Sequence, residues 1–245
     1  LAMALFEEAL SRSERLGLPK GKADAFQKLG MVALDRGQFD EAIRRFDEAR
    51  GIYTSIKDED NIAVVINTMG MTLLGKGNPA EYDKAESLFK DAAKLNRNRK
   101  NWKGVSAHLA NLSEVCLRRK SYADALQYSL SALHIDRQIE DAKSIGSALG
   151  RMALLYEALG QKDDAFLARK RAYEANFALA LRERQLTDLR ELVRLADLVK
   201  NPAKKAEYAK LLEALSSELE RERVKGEKNE PEPDKPADER PKPGP

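Results

Sequence analysis

Apolar side chains recur at spacings of three, four and seven along most of this chain, the rhythm of helices with one buried face. Phe39, Ala42, Ile43, Phe46, Ala49 and Tyr53 form one such face. Phe26, Leu29 and Ala33 form another just before it, and Gly37 stands between them as a C-terminal helix stop. The pattern is then copied. Ala-x6-Ala occurs at Ala2/Ala9, Ala42/Ala49, Ala85/Ala92, Ala125/Ala132 and Ala165/Ala172, with 40, 43, 40 and 40 residues between successive first alanines. A second marker keeps step: Leu29-Gly30, Met69-Gly70, Leu112-Ser113 and Met152-Ala153. A fixed period near 40 signals one supersecondary unit repeated. The sequence predicts an all-α superhelix of antiparallel helix pairs, with small residues where two helices must approach closely.

The single break in the period supports the repeat. Gly30 to Ala42, Ser113 to Ala125 and Ala153 to Ala165 are each 12 residues, whereas Gly70 to Ala85 is 15. The three extra residues fall in Gly75-Lys-Gly-Asn-Pro-Ala-Glu-Tyr82, where turn-forming residues cluster, so both flanking helices stay in phase. Residues 1–16 read as the second helix of an incomplete repeat, and the opening Leu suggests an array that continues upstream. Residues 17–180 read as four repeats. Residues 181–223 read as a degenerate capping pair, because Lys205 and Leu212 replace the period alanines while Asn201-Pro202 makes a good helix start. Residues 224–245 read as a Pro-rich, charged tail that stays disordered; six of the nine prolines lie there.

The stretch Leu29-Gly30...Gly37-x-Phe39-x-x-Ala42...Phe46-x-x-Ala49 resembles the tetratricopeptide repeat family. Its copies Met69-Gly70...Gly77...Tyr82-x-x-Ala85...Phe89-x-x-Ala92 and Leu112-Ser113...Tyr122-x-x-Ala125...Ala132 carry the resemblance over roughly residues 1–180. The spacing near 40 is similar to the longer variant found in kinesin light chain, spindle-orientation adaptors and bacterial peptide-sensing regulators. The resemblance implies a binding groove lined by the first helices of successive units. The implied lining is Gln27, Met31 and Leu34, then Asn67, Met71 and Leu74, then Ala110, Asn111, Glu114, Leu117 and Arg118. Gly150, Arg151, Leu154 and Glu157 follow, and the degenerate unit adds Arg190 and Arg194. Paired Met–Leu steps suggest an adaptable apolar stretch on the early units, and the later units offer charge. The family's clamp for chaperone C-termini does not fit. Only Asn111 and Arg151 of five positions agree in the better of two frames, and neither lysine is present.

Candidate chemistry is sparse. Cys116 sits in the helix-pairing register of Ala33, Leu73 and Tyr156, as a structural thiol would. His108 aligns with Ala25, Val65 and Ala148, a packing position; His134 aligns with surface positions. Neither has spaced Cys or acid partners for a metal. Trp102 reads as a loop residue packing between repeats. Gly75-Lys-Gly-Asn lacks the order of a phosphate-binding loop. The near balance of 43 basic and 40 acidic residues argues against nucleic acid, and Arg97, Arg99, Lys100 and Lys103 form only a local basic patch. No stretch reaches the ~18 apolar residues of a membrane span.

These features imply a non-enzymatic protein- or peptide-binding scaffold without cofactor or metal. The alternatives are the sensor region of a larger signalling protein or transcriptional regulator and, least favoured, an RNA-binding helical repeat. The expected partner is a protein or peptide segment, apolar and then acidic along its length. The uncapped edge at residues 1–16 is an expected site of self-association.

Overall fold

A computed structural model describes residues 2–228. They form α1 (Ala2–Arg15), α2 (Pro19–Asp35), α3 (Phe39–Ser55), α4 (Glu59–Lys76), α5 (Tyr82–Asn98) and α6 (Trp102–Arg118). They continue through α7 (Tyr122–Gln138), α8 (Ala142–Ala158), α9 (Lys162–Ala178), α10 (Arg182–Leu198) and α11 (Pro202–Lys228). Each helix packs against its neighbours in sequence, so the all-α solenoid is built of antiparallel pairs. The first helices of the pairs are α2, α4, α6, α8 and α10. One apolar cluster runs from Phe26 on α2 to Val115 on α6. Smaller clusters continue the core, ending where Leu189, Leu192 and Tyr208 pack α10 against α11.

Every connection turns on one residue with positive φ, and these residues recur at positions 17, 37, 57, 77, 100, 120, 140, 160, 180 and 200. Glycine occupies four of them; Lys57, Lys100, Lys120, Glu140, Ala180 and Lys200 adopt the left-handed conformation with a Cβ in place. The hydrogen bonds explain why. After α2, the amide of Gln38 reaches Ala33 O and that of Gly37 reaches Leu34 O, both at 2.9 Å. That pair of bonds satisfies helix-end carbonyls and needs the left-handed residue. Three of the first helices, α4, α6 and α8, then start on side-chain caps: Asp58, Asn101 and Asp141 accept from the amides of Asn61, Gly104 and Ser144 at 3.0–3.2 Å.

The insertion is a short 3-10 turn, Pro79–Glu81, between Gly77 and α5. Asn78 Oδ1 caps it through the amide of Ala80 at 3.1 Å.

Small residues meet a matched partner in each pair. A Cβ built on Gly30 would lie 2.6 Å from the Phe46 ring, and one on Gly70 would lie 2.7 Å from the Phe89 ring. In the third pair both positions are serine, and Ser113 Oγ lies 2.8 Å from Ser129 Oγ. In the fourth the corresponding positions hold Ala153 and Arg169, both buried. The small residue thus fits the side chain opposite it, and the fit changes along the array.

Two boundaries differ from the sequence reading. α11 runs on through Lys228, so the expected change at 224 falls inside a helix; helix-favouring Glu, Arg and Lys continue past the last apolar contact. The rest of the expected tail, residues 229–245, lies outside the described residues. Trp102 is the first residue of α6, not a loop residue, and is 44% exposed. Asn101 ends the connection one residue earlier by capping the helix. On α1, Phe6 and Leu10 are half-buried, whereas Leu5, and Leu16 just past the helix end, are exposed.

Candidate functional site: the face of the first helices

The first helices reach one another directly across the repeats. Asn111 on α6 donates to Asn67 Oδ1 on α4 at 2.7 Å, and Arg118 on α6 donates to the carbonyl of Leu74 at 2.9 Å. On α10, Arg184 donates to Ser147 Oγ and Arg194 to both Glu157 oxygens, tying α10 to α8. Among the described residues no hydrogen bond joins α3 to α5, α5 to α7 or α7 to α9. The cross-repeat bonds therefore run along the first helices, where α4 and α6 also touch directly.

Met31 and Met71 stand open on this face, 44% and 45% exposed, and Leu154 in the same register is 47% exposed. Their leucine companions do not. Leu74 is only 2% exposed and belongs to the core, and Leu34 is half-buried against the same cluster. One turn of helix beyond each methionine points toward the following helix, so the expected Met–Leu pair offers only its methionine. This corrects the placement of Leu74. Gln27 is half-buried and accepts from Tyr53 OH at 3.0 Å.

The charged residues sort into held and open. Arg118 is paired with Glu114 at 2.8 Å and raised above the ordinary guanidinium value by that bond. Arg194 is held between Glu157 and Glu191, and bonding to those carboxylates raises it further. Glu114 and Glu157 therefore serve these two arginines. Arg151 is different. Among the described residues it has no hydrogen bond and no carboxylate within ion-pair distance. Burial lowers it from the ordinary guanidinium value, against the longer-range pull of Glu114 and Asp136. Arg190 is exposed.

Beneath the face lie two polar clusters. Asn67 Oδ1 accepts from Asn111 and faces His108 Nδ1 at 3.1 Å, while His108 Nε2 lies 2.7 Å from Asn96 Nδ2. His108 is buried, and burial lowers its pKa to about 4. It is a packing residue, as expected, but one with both ring nitrogens engaged. Further along, Arg169 Nη1 donates to Asp188 Oδ1 at 2.9 Å, and Asn176 Nδ2 donates to Asp188 Oδ2 at 2.6 Å. Neither Arg169, Asn176 nor Asp188 was singled out from sequence. Their signal is a twelve-residue step from a buried Asn to a polar residue on the next helix, shared by Asn96/His108 and Asn176/Asp188.

Elsewhere the structure gives little chemistry. Cys116 is buried, and burial raises its thiol above the ordinary value. Arg99 pairs with Asp60 and Lys103 with Asp141, so half of the basic patch is engaged within the fold. Among the described residues no group of three His, Cys, Asp or Glu side chains gathers to hold a metal, and no helix is long and apolar enough to cross a membrane.

Residues 21–98 match the family model for the tetratricopeptide repeat. Residues 21–98 carry tetratricopeptide repeats. The match spans the first two helix pairs, and the same packing continues through α9. No curated protein matches the sequence. Solved structures share the fold at low identity. BtubC (BKLC) from P. vanneervenii superposes with a TM-score of 0.77 at 15% identity, over 96% of this chain and 95% of that one. A Rap protein complexed with Competence and Sporulation Factor gives 0.63 at 16% identity, over 83% of this chain. Aspartyl phosphate phosphatase F from Bacillus subtilis gives 0.73 at 16% identity, over 86% of this chain. This chain spans 55% of the length of each of those two. A tetratricopeptide-repeat solenoid is consistent with a protein-interaction scaffold.

Proposed function

We propose that this chain holds an extended protein or peptide segment along the inner face formed by α2, α4, α6, α8 and α10. Arg151 carries the proposal: a half-buried guanidinium on that face with no hydrogen-bonded partner among the described residues. A half-buried guanidinium without a protein partner is free to meet an incoming group, and a partner's carboxylate would engage it through two parallel bonds. Met31 and Met71 supply an apolar stretch three and two repeats away, and methionine adapts its shape to different side chains. The segment would therefore be apolar toward α2 and α4 and acidic toward α8. Support also comes from the Rap structure, a similar fold complexed with Competence and Sporulation Factor.

Peptide display against the folded array, followed by amide hydrogen exchange of the complex, tests this reading. Protection is expected along α2, α4, α6 and α8. Protection confined to α3, α5 and α7, or none for any selected peptide, would place binding elsewhere.

A further inference from the structure

An open recess of about 700 Å³ runs along the edge of the array where second helices turn into the next first helices. Residues 100–103, residues 139–143 and Leu179 line it, so three successive turns build it. Neither methionine of the inner face lies in it, nor does Arg151. Its apolar walls are Trp102, Ile139 and Leu179, of which Trp102 and Leu179 are exposed. Ala142 opens α8 as Trp102 opens α6, a short side chain where the preceding unit has a ring. Packing between repeats, the role expected for Trp102, leaves 44% of its surface open.

The charge of this edge is uneven. Lys103 pairs with Asp141 at 2.8 Å, and Asp141 also caps α8 through the amide of Ser144. Among the described residues the side chains of Lys100 and Lys143 have no ion pair or hydrogen bond, and Glu140 is the only lining carboxylate left free. Arg97 and Arg137, in the last turns of α5 and α7, add two more cations without a carboxylate partner among the described residues. Their carbonyls accept from the amides of Lys100 and Glu140, so both arginines stand one helical turn from the recess. A ring open to water beside excess positive charge suits a partner that brings carboxylates and an apolar side chain together.

We propose that this edge is a second docking surface, distinct from the inner face, for an acidic protein segment with one aliphatic anchor. The anchor lies against Trp102 and Leu179, and tryptophan is among the residues that carry most binding energy at interfaces. The flanking carboxylates meet Lys100 and Lys143, while Arg97 and Arg137 attract the segment from further away. A nucleic-acid strand fits less well. Stacking along a strand needs successive aromatic platforms, and Trp102 is the single ring in the lining, beside aliphatic Ile139 and Leu179.

Trp102 is the only tryptophan of the chain, so its fluorescence reports this edge directly. End-capped Glu-Glu-Leu-Glu-Glu, titrated into the folded chain up to millimolar concentration, should change the emission saturably. Gln in place of every Glu should weaken binding about fivefold, since each exposed ion pair contributes modestly. Gly in place of the Leu should weaken it about tenfold, through loss of the buried side chain. The double variant Lys100→Gln, Lys143→Gln should keep its helical circular dichroism and lose about fivefold in affinity for the acidic peptide. No saturable change in emission, equal binding of the Gln analogue, or a double variant that binds like the wild type would each overturn the proposal. Tighter binding of oligouridylate than of the acidic peptide would overturn it in favour of nucleic acid. A response that vanishes in Arg151→Ala would assign the binding to the inner face instead.

Discussion

Asn96 Nδ2 lies 2.7 Å from His108 Nε2, twelve residues ahead on the next helix. Since Asn67 Oδ1 accepts on the other side of the ring, the proton sits on Nδ1, and Nε2 accepts from Asn96. Asn176 and Asp188 repeat the step at the junction of α9 and α10. At the two other junctions the corresponding residues turn back: Tyr53 donates to Asp24 and Gln27, and Asp136 accepts from Ser106, each within its own pair. Val65 and Ala148 fill the place of His108 there. The α5–α6 and α9–α10 junctions are thus stapled by buried polar bonds, whereas at α3–α4 and α7–α8 apolar side chains fill the same position.

The staple makes stability depend on pH. Burial holds His108 near 4, below the ordinary 6.5, so the unfolded chain binds the extra proton first as pH falls. His108's contribution is full above about pH 6.5 and is lost as pH drops toward 4, on the order of 3 kcal/mol in all. Chemical denaturation of wild type and His108→Gln between pH 7.5 and 4 should show the steeper decline only in the wild type. Parallel declines would mean that the ring protonates without penalty.

Small residues and rings should prove interdependent. Gly30→Ala places a Cβ against the Phe46 ring and should cost about 1–3 kcal/mol, as overpacking does. Adding Phe46→Leu should recover part of that loss, measured as a non-additive double-mutant cycle. Additive effects would show that the helix pair shifts freely.

The turns carry strain that glycine relieves. Ala180 has φ 51°, and a left-handed residue with a Cβ costs roughly 1–2 kcal/mol, part of which glycine's greater unfolded entropy offsets. Ala180→Gly should raise stability by about 0.5–1 kcal/mol in denaturant titration. No gain would mean that the turn relaxes locally.

Deleting Asn78, Pro79 and Ala80 should be tolerated. It leaves Gly77-Glu81-Tyr82, the arrangement already present as Gly37-Gln38-Phe39. Loop shortening of this size changes stability by about 1 kcal/mol or less. A loss of several times that would reveal a structural role for the 3-10 turn.

Much of the fold was legible because its cause repeats. Ala42, Ala85, Ala125 and Ala165 mark close helix approach in every copy, and the insertion kept phase around them. The turns were only half visible, since a positive φ at Lys57 or Glu140 is imposed by the helix-end hydrogen bonds and leaves no glycine to read. The inner face was legible as a register but not as a set of free groups. Leu74 turned inward, Arg118 found Glu114 one turn back on its own helix, and Arg194 found Glu157 across the repeat, a pairing that only the packed array sets. Arg169 and Asn176 were missed because a buried arginine on a second helix breaks the repeat pattern that guided the reading.

Affinity of one peptide and its reversed-order twin, measured on the wild type, Met71→Ser and Arg151→Ala, tests inner-face binding most directly. The peptide carries bulky apolar residues at one end and carboxylates at the other. The forward order should bind more tightly to the wild type, and Arg151→Ala should weaken it by roughly 1–3 kcal/mol, the range for a charge-assisted bond. Met71→Ser should weaken it independently, since the two sites lie on different repeats. Equal affinity for both orders, or for the wild type and both variants, would contradict binding along this face.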